Sequence, residues 1–336
     1  MEHEAFHQEG LSNAPYRRIG AGLCGSVWTS APNRRTSSGS GRGRKPTAIK
    51  REYSGHGRSL LDDYKIHQTL LESYALCPSE LKTFKIPECY DFVERDYKGW
   101  ETTKILRRFP DGYSPCNILI TQRIPPFTPD VRKALIDEYC PPDLAENAKT
   151  DPNNDHCLIR PYLGRRKWAQ RESRIPTFNL RNFPLHVDQI EELVLDPFAY
   201  SEVMAQALAF MHWLAKVDAN DVEFVLAPTE DTPQFKSRAL GNHNMWILDF
   251  DGCCRISMNR SGVEQAAKAF LRNDPYYPRP CQSDDEEDGV LWQHFKEAFL
   301  EASSTIIHEA APEVPEDLPQ MLLDKIESIG CSHAAA

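Results

Sequence analysis

The order of hydrophobic patterns along the 336-residue chain predicts an α+β protein of two lobes, the first rich in strands and the second mainly helical. Three observations carry this expectation. Short apolar runs bounded by Gly, Pro and Ser fill the first third, and a single helical pattern is inserted among them. A long apolar stripe then opens the second half at Asp196. The chain is also long enough to bury a large core, with 40% hydrophobic and 26% charged residues.

Residues 1–15 read as a flexible N-terminus, and a β-rich lobe is expected over 16–130. It opens with RRIGAGLCGSVWTS at 17–30. Residues 31–47 carry basic residues, Ser and Gly without an acid, the composition of a flexible insertion. TAIKRE at 47–52 is the next strand. From Leu60 to Tyr74 the apolar positions recur at helical spacing, and Asp63 falls near the middle of the same arc. A carboxylate on a buried face costs several kcal/mol unless a cation or donors meet it, so Asp63 needs a partner. Residues 88–124 read as three strands, ECYDFVER, KILRR and PCNILITQRI, stopped by Pro125 and Pro126.

Residues 131–194 form a connection and insertion, with a short helix from 129, a strand CLIRPYLG at 157–164 and a basic loop-like stretch to Phe183. The helical lobe spans 195–330. Asp196 is suited to cap a long helix that has Pro197 in its first turn. Two strand-like runs come next, VEFVLA at 222–227 and MWILDF at 245–250. Helical patterns return at 262–271 and 290–307, and the acidic run Asp284–Asp288 between them reads as a solvated loop.

Composition narrows the function classes. A net charge of −10 argues against a protein that binds nucleic acid through phosphate neutralisation, and no sequence-specific nucleic acid is expected. The start, MEHEAFHQEG, is no secretory signal, and no run reaches the ~18 apolar residues of a bilayer span. A soluble cytoplasmic or nuclear protein with no membrane partner is expected. Ten cysteines occur without any C-x-x-C pair, which gives zinc little support and leaves reduced, packed thiols as the expectation.

Gly20, Gly22 and Gly25, followed by Val27, fit the pattern G-x-G-x-x-G-x-V. A plain hairpin would use such glycines too. Because Val27, Trp28 and Thr29 continue as strand, a dinucleotide-binding strand-to-helix turn is not indicated, and the alternative is a hairpin whose amides cover a phosphate. Ala48-Ile49-Lys50 places a lysine between apolar residues on a strand, where it needs an anion, and Asp63 offers one. Further on, Asp249 and Asp251 flank Phe250. In an extended segment they share a face and can address one cation. Solvated loop acids remain the alternative.

These residues resemble the N-lobe of the protein-kinase superfamily, which implies a bilobal kinase-like fold with a Lys50–Asp63 pair orienting the lysine towards nucleotide phosphates. The family has Glu where Asp63 stands. The resemblance extends to AKVDANDVEFVL, where Asp218 takes the position of the catalytic base and Glu223 that of a metal-binding asparagine. The histidine and arginine before the family's aspartate are missing, as is the lysine after it, replaced here by Asn220. Leu248-Asp249-Phe250-Asp251 departs from D-F-G in its last residue. Gln122-Arg123-Ile124-Pro125-Pro126 lies where a hinge holds adenine.

The resemblance thus implies ATP and Mg²⁺ as cofactors in an interlobe crevice, with Gly20, Gly22, Gly25, Val27, Ala48, Lys50 and Asp63 on the nucleotide and Glu223, Asp249 and Asp251 on the metal. It leaves three functions open: a pseudokinase that keeps its nucleotide, an active phosphotransferase acting on a small-molecule or protein hydroxyl, and a nucleotide-free scaffold or regulator of a protein partner. LIRPYLG, FNLRNFPL, DANDVEFVLAP, MWILDFD and AFLRNDPYYPRP are similar to segments of a fungal family of uncharacterised proteins with a domain of unknown function, some labelled zinc-finger proteins. Asp274, Tyr276 and Tyr277 in the last segment could shape a substrate platform or simply pack a proline-rich turn.

Overall fold

The computed structural model describes residues 3–30, 46–53, 58–167, 178–273, 275–281 and 286–334. Most of the expected basic insertion, Asp274 and the start of the acidic run lie outside the described residues. The chain divides into two compact units, one of residues 1–68 with 87–124 and the other of 69–86 with 125–336.

The first unit starts with α1 (Glu4–Gly10), then β1 (Tyr16–Ala21), β2 (Gly25–Ser30), β3 (Thr47–Glu52), α2 (Leu60–Leu76), β4 (Cys89–Val93), α3 (Gly99–Thr102) and β5 (Ile118–Gln122). Its sheet is antiparallel throughout, in the order β1-β2-β3-β5-β4. Trp28, Ile49, Val93, Ile118 and Ile120 build the core on one side with Phe6 of α1. Leu60 of α2 packs with Leu119 and Cys24 in a second cluster. Helix α2 begins where it does because Ser59 Oγ accepts from Asp62 N and Glu52 Oε1 accepts from Leu60 N at 2.8 Å, which satisfies first-turn amides. The helix belongs to this unit through Gln68.

Two expectations for this unit are corrected. Residues 4–10, placed in a flexible N-terminus, form α1, because Phe6 is fully buried and Glu9 is tied to the sheet. KILRR is not a strand. Residues 105–108 turn as a 3₁₀ segment that carries Arg108 inward to Glu9, so the expected three strands are two, β4 and β5.

The second unit contains α4 (Pro129–Tyr139), α5 (Pro142–Thr150), β6 (Ile159–Tyr162), β7 (Phe183–His186), α6 (Val187–Glu192), α7 (Pro197–Ala209), β8 (Glu223–Pro228), β9 (Phe235–Ser237), β10 (Gly241–Leu248), α8 (Arg260–Arg272), α9 (Glu286–Glu309) and α10 (Leu318–Ala334). Its sheet runs β7-β6-β8-β10-β9, with β6 and β7 parallel and the other pairs antiparallel. Asp196 caps α7 as expected, accepting from Phe198 N and Ala199 N. Helices α7 and α9 pack together. Helix α10 was not foreseen. Among the described residues no helix is long and apolar enough to cross a membrane.

The cysteines differ from expectation in one respect: Cys281 and Cys331 form a disulfide, while the other eight stay outside any disulfide. The partners are 50 residues apart, so no local spacing marks the pair.

Candidate functional site

In the first unit the glycine segment forms the β1–β2 hairpin, closed by a 2.8 Å hydrogen bond from Gly22 N to Gly25 O. Its three glycines serve different ends. A Cβ on Gly25 would lie 1.9 Å from the Arg51 carbonyl oxygen, so glycine is needed there for β2 to pair with β3. A Cβ on Gly20 would make ordinary contact with Val27, 3.4 Å away. A Cβ on Gly22 would meet nothing within 4 Å, and its backbone does not require glycine. Leu23 beside it is 81% exposed.

Val27 pairs with Lys50 across β2 and β3, and Ala48 and Lys50 lie on β3 opposite Thr121 and Leu119 of β5. Lys50 Nζ donates to Asp63 Oδ2 at 2.7 Å. Both side chains are sequestered, 15% and 4% exposed. The partner that Asp63 needed is therefore Lys50. His67, one turn along α2, is buried and hydrogen bonds to Pro87 O at 2.7 Å. Burial, helped by nearby Lys50, pushes its imidazole below the ordinary value against the opposing pull of Pro87 and Asp63.

In the second unit Asp218 lies in the loop between α7 and β8, 5% exposed. Its Oδ1 accepts from Asn220 N at 3.1 Å and Cys254 N at 2.9 Å, and its Oδ2 from Gln265 Nε2 of α8 at 2.9 Å. Three donors occupy most of a carboxylate's acceptor directions. The arrangement clamps the 218–222 loop to residues 252–256. Lys216, Ala219, Asp221 and Asp249 all have positive φ, between 55° and 64°, a conformation held only where surrounding contacts impose it.

Glu223 begins β8 and pairs with the Arg160 guanidinium from β6. Asp249 and Asp251 come after β10, and each offers a carboxylate oxygen within 4.8 Å of the other's. Glu223 is not grouped with them. Tyr276 and Tyr277 are buried, and Tyr277 stacks on Phe270 of α8 with ring centroids 4.7 Å apart. They are packed rather than displayed as a platform.

His212 supports the Asp218 loop from a turn of irregular backbone. Residues 210–214 continue α7 as a π-helical turn, which aims His212 Nε2 at the Asp218 carbonyl, 3.4 Å away. Complete burial pushes its imidazole down to about 4 from 6.5, against the opposing effect of that carbonyl. Between these values the unfolded chain takes up a proton that the folded chain refuses. Stability is therefore full above pH 6.5 and falls as the pH drops towards 4, by roughly 3 kcal/mol for this group. Chemical denaturation at pH 7, 6, 5 and 4.5 should show this slope in the wild type and a shallower one in His212→Gln. Equal slopes would mean that His212 does not titrate on unfolding.

Comparison with known proteins adds a family match and two kinase structures. A family model described as "DUF3669: Zinc finger protein" matches residues 245–311. No curated protein matches the chain. Among solved structures, the maize SIRK1 (sucrose-induced receptor kinase 1) kinase domain bound to AMP-PNP is 12% identical, with 97% of this chain and 81% of that chain covered at a TM-score of 0.32. The Helicobacter pylori proinflammatory kinase CtkA is 9% identical, with 97% of each chain covered at a TM-score of 0.29. At TM-scores this low the likeness carries no weight for fold or function. Among its described residues the matched segment holds no grouped cysteine or histidine ligands for zinc. Cys281 is bonded to Cys331, buried Cys253 donates to Asn220 O, and among the described residues no grouping of metal-ligand side chains includes a cysteine or histidine.

Proposed function

We propose that this chain is a kinase-like protein that binds ATP with Mg²⁺ and carries a degenerate catalytic loop. The observation that carries the reading is the sequestered Lys50–Asp63 pair beside a hairpin strand whose pattern is G-x-G-x-x-G-x-V. Lysine held by a carboxylate on a central strand presents a fixed cation to nucleotide phosphates. Gly22 adds to this, because the fold itself does not explain its missing side chain, whereas close approach of a phosphate does.

In the 122–126 segment Gln122 N donates to Glu88 O and Arg123 N to Pro46 O, and the prolines have no N–H. Among the described residues Ile124 N is the amide of this segment without such a backbone acceptor, and it would donate to an adenine edge. Asp249 and Asp251 of the second unit are hard oxygen donors of the kind that hold Mg²⁺. What favours a pseudokinase over an active phosphotransferase is the state of the loop: Asp218 is occupied by three donors, and Glu223 is turned to Arg160.

A thermal-shift titration with ATP, with and without Mg²⁺, tests the reading on wild type, Gly22→Ala and Asp249→Asn. The expected result is a metal-dependent rise in melting temperature for the wild type. Gly22→Ala should keep its own melting temperature but lose nucleotide affinity by roughly tenfold, about 1.4 kcal/mol. Asp249→Asn should abolish the Mg²⁺ dependence. No shift at millimolar ATP would turn the assignment to a nucleotide-free scaffold, and steady ADP production that Asp218→Asn abolishes would restore an active enzyme.

A further inference from the structure

We propose that Cys281 and Cys331 form a thiol–disulfide switch that sets how firmly α8 holds the Asp218 loop. The proposal goes beyond nucleotide binding and does not depend on it.

Helix α8 ties down both ends of that loop. Gln265 donates to Asp218 Oδ2 at 2.9 Å and to Arg255 O at 3.2 Å. Asn273, just past the helix end, donates to Val222 O at 2.9 Å. Helix α8 is in turn held by the segment on its C-terminal side. Tyr277 stacks on its Phe270, Tyr276 N donates back to Asn273 O, and the Arg279 guanidinium lies over the Phe270 ring, 5.1 Å from its centroid. That segment ends at Cys281, where the disulfide joins it to the last turns of α10, itself packed against α8. The bond closes the 281–331 loop, which carries α9 and α10, and α8 is joined to that loop by its own C-terminal turn and by packing on α10.

The bond is placed where a thiol reagent can reach it and where its loss would be felt. Cys281 is exposed, and its φ of 55° is a backbone conformation that a non-glycine residue keeps only when held. A Cβ on Gly330, next to Cys331, would lie 2.9 Å from the Pro280 ring, so glycine lets the two backbones come together at the bond. The other cysteines remain outside any disulfide, and all of them except exposed Cys254 are shielded by burial or raised pKa, among them Cys157, pushed up to about 12, and Cys77, to about 11. The chemistry is ordinary exchange with a dithiol reductant. A reductant thiolate attacks Cys281 Sγ, the Sγ–Sγ bond breaks, and Cys331 leaves as a thiolate that takes a proton. The second reductant thiol then displaces Cys281 from the mixed disulfide. Two electrons and two protons pass to the protein, and the dithiol becomes a disulfide.

The test uses the full chain equilibrated in glutathione redox buffers or dithiothreitol, with alkylation and peptide mass mapping to report the 281–331 state. On reduction the melting temperature is expected to fall by about 5 °C or more. Amide exchange over 217–222 and 252–256 should accelerate by roughly tenfold. Cys331→Ser in oxidising buffer should match the reduced wild type, and Cys254→Ser, which alters an exposed thiol outside the bond, should still switch. Because the wild type is its own comparison, failure of a variant to fold leaves the test intact. Absence of the 281–331 linkage in oxidising buffer would overturn the switch. A linkage whose reduction leaves exchange in the two segments unchanged would overturn the coupling to the Asp218 loop.

Discussion

Replacing Arg108 by leucine should destabilise the first unit by about 3–5 kcal/mol, the cost of leaving a buried carboxylate without its cation. Arg108 Nη1 donates to Glu9 Oε2 at 2.6 Å, with the two side chains 2% and 4% exposed. Its other donors reach Glu9 O and Ala14 O, and its guanidinium lies 3.8 Å from the Tyr16 ring centroid. Tyr16 and Thr47 hydroxyls complete the shell around the Glu9 carboxylate at 2.8 and 2.7 Å. Through this one cluster α1, β1, β3 and the 105–108 turn are joined.

Burial alone would raise the Glu9 pKa, but the hydrogen bonds from Thr47, Tyr16 and Arg108 outweigh it and leave it lowered. A carboxylate depressed on folding stabilises the folded state above its unfolded value, near 4.5, and that contribution disappears as the pH falls through the folded value. In Arg108→Leu the sign should reverse, with acid relieving the buried charge. Urea denaturation of wild type and variant at pH 7 and pH 4.5 reads both effects. The double variant Glu9→Leu/Arg108→Leu should recover part of the loss because no charge is left unpaired. An Arg108→Leu chain as stable as the wild type would show that the cluster does not hold α1.

The second large effect is expected for Gly25→Ala. A methyl group there meets the Arg51 carbonyl at 1.9 Å and its carbon at 2.8 Å, and both are backbone atoms of the neighbouring strand. Relief requires β2 and β3 to part near the Gly25–Glu52 pair, at a cost of about 3 kcal/mol. Gly22→Ala, with open space around the added carbon, should melt within about 1 °C of the wild type. Chemical denaturation of the two variants side by side separates a glycine that the fold needs from one that it does not. Equal stability would remove the steric account of Gly25, and with it the contrast that makes Gly22 informative about a ligand.

Much of the first unit was legible because its signals are local. Alternation set β3 over Thr47–Glu52, and helical phase put Asp63 on the buried face of α2, where it is 3% exposed. KILRR misled because its Ile and Leu fit a strand pattern, while what decides its shape is a buried arginine reaching Glu9, 99 residues away. Residues 1–15 misled for the same reason in reverse: a polar segment has little periodicity, and Phe6 finds its core only after the sheet exists.

The site divides along the same line. Sequence by itself determined the order of glycine hairpin, lysine strand, acidic helix position and paired aspartates, since each is a matter of residue type and short spacing. Only tertiary structure decided that Glu223 turns to Arg160 and that three donors converge on Asp218. It also decided that Cys281 meets Cys331. The partners in these contacts lie between two and 63 residues apart. Beyond a few residues, which groups meet is set by how strands and helices pack to bury apolar surface, and no spacing along the chain records that outcome.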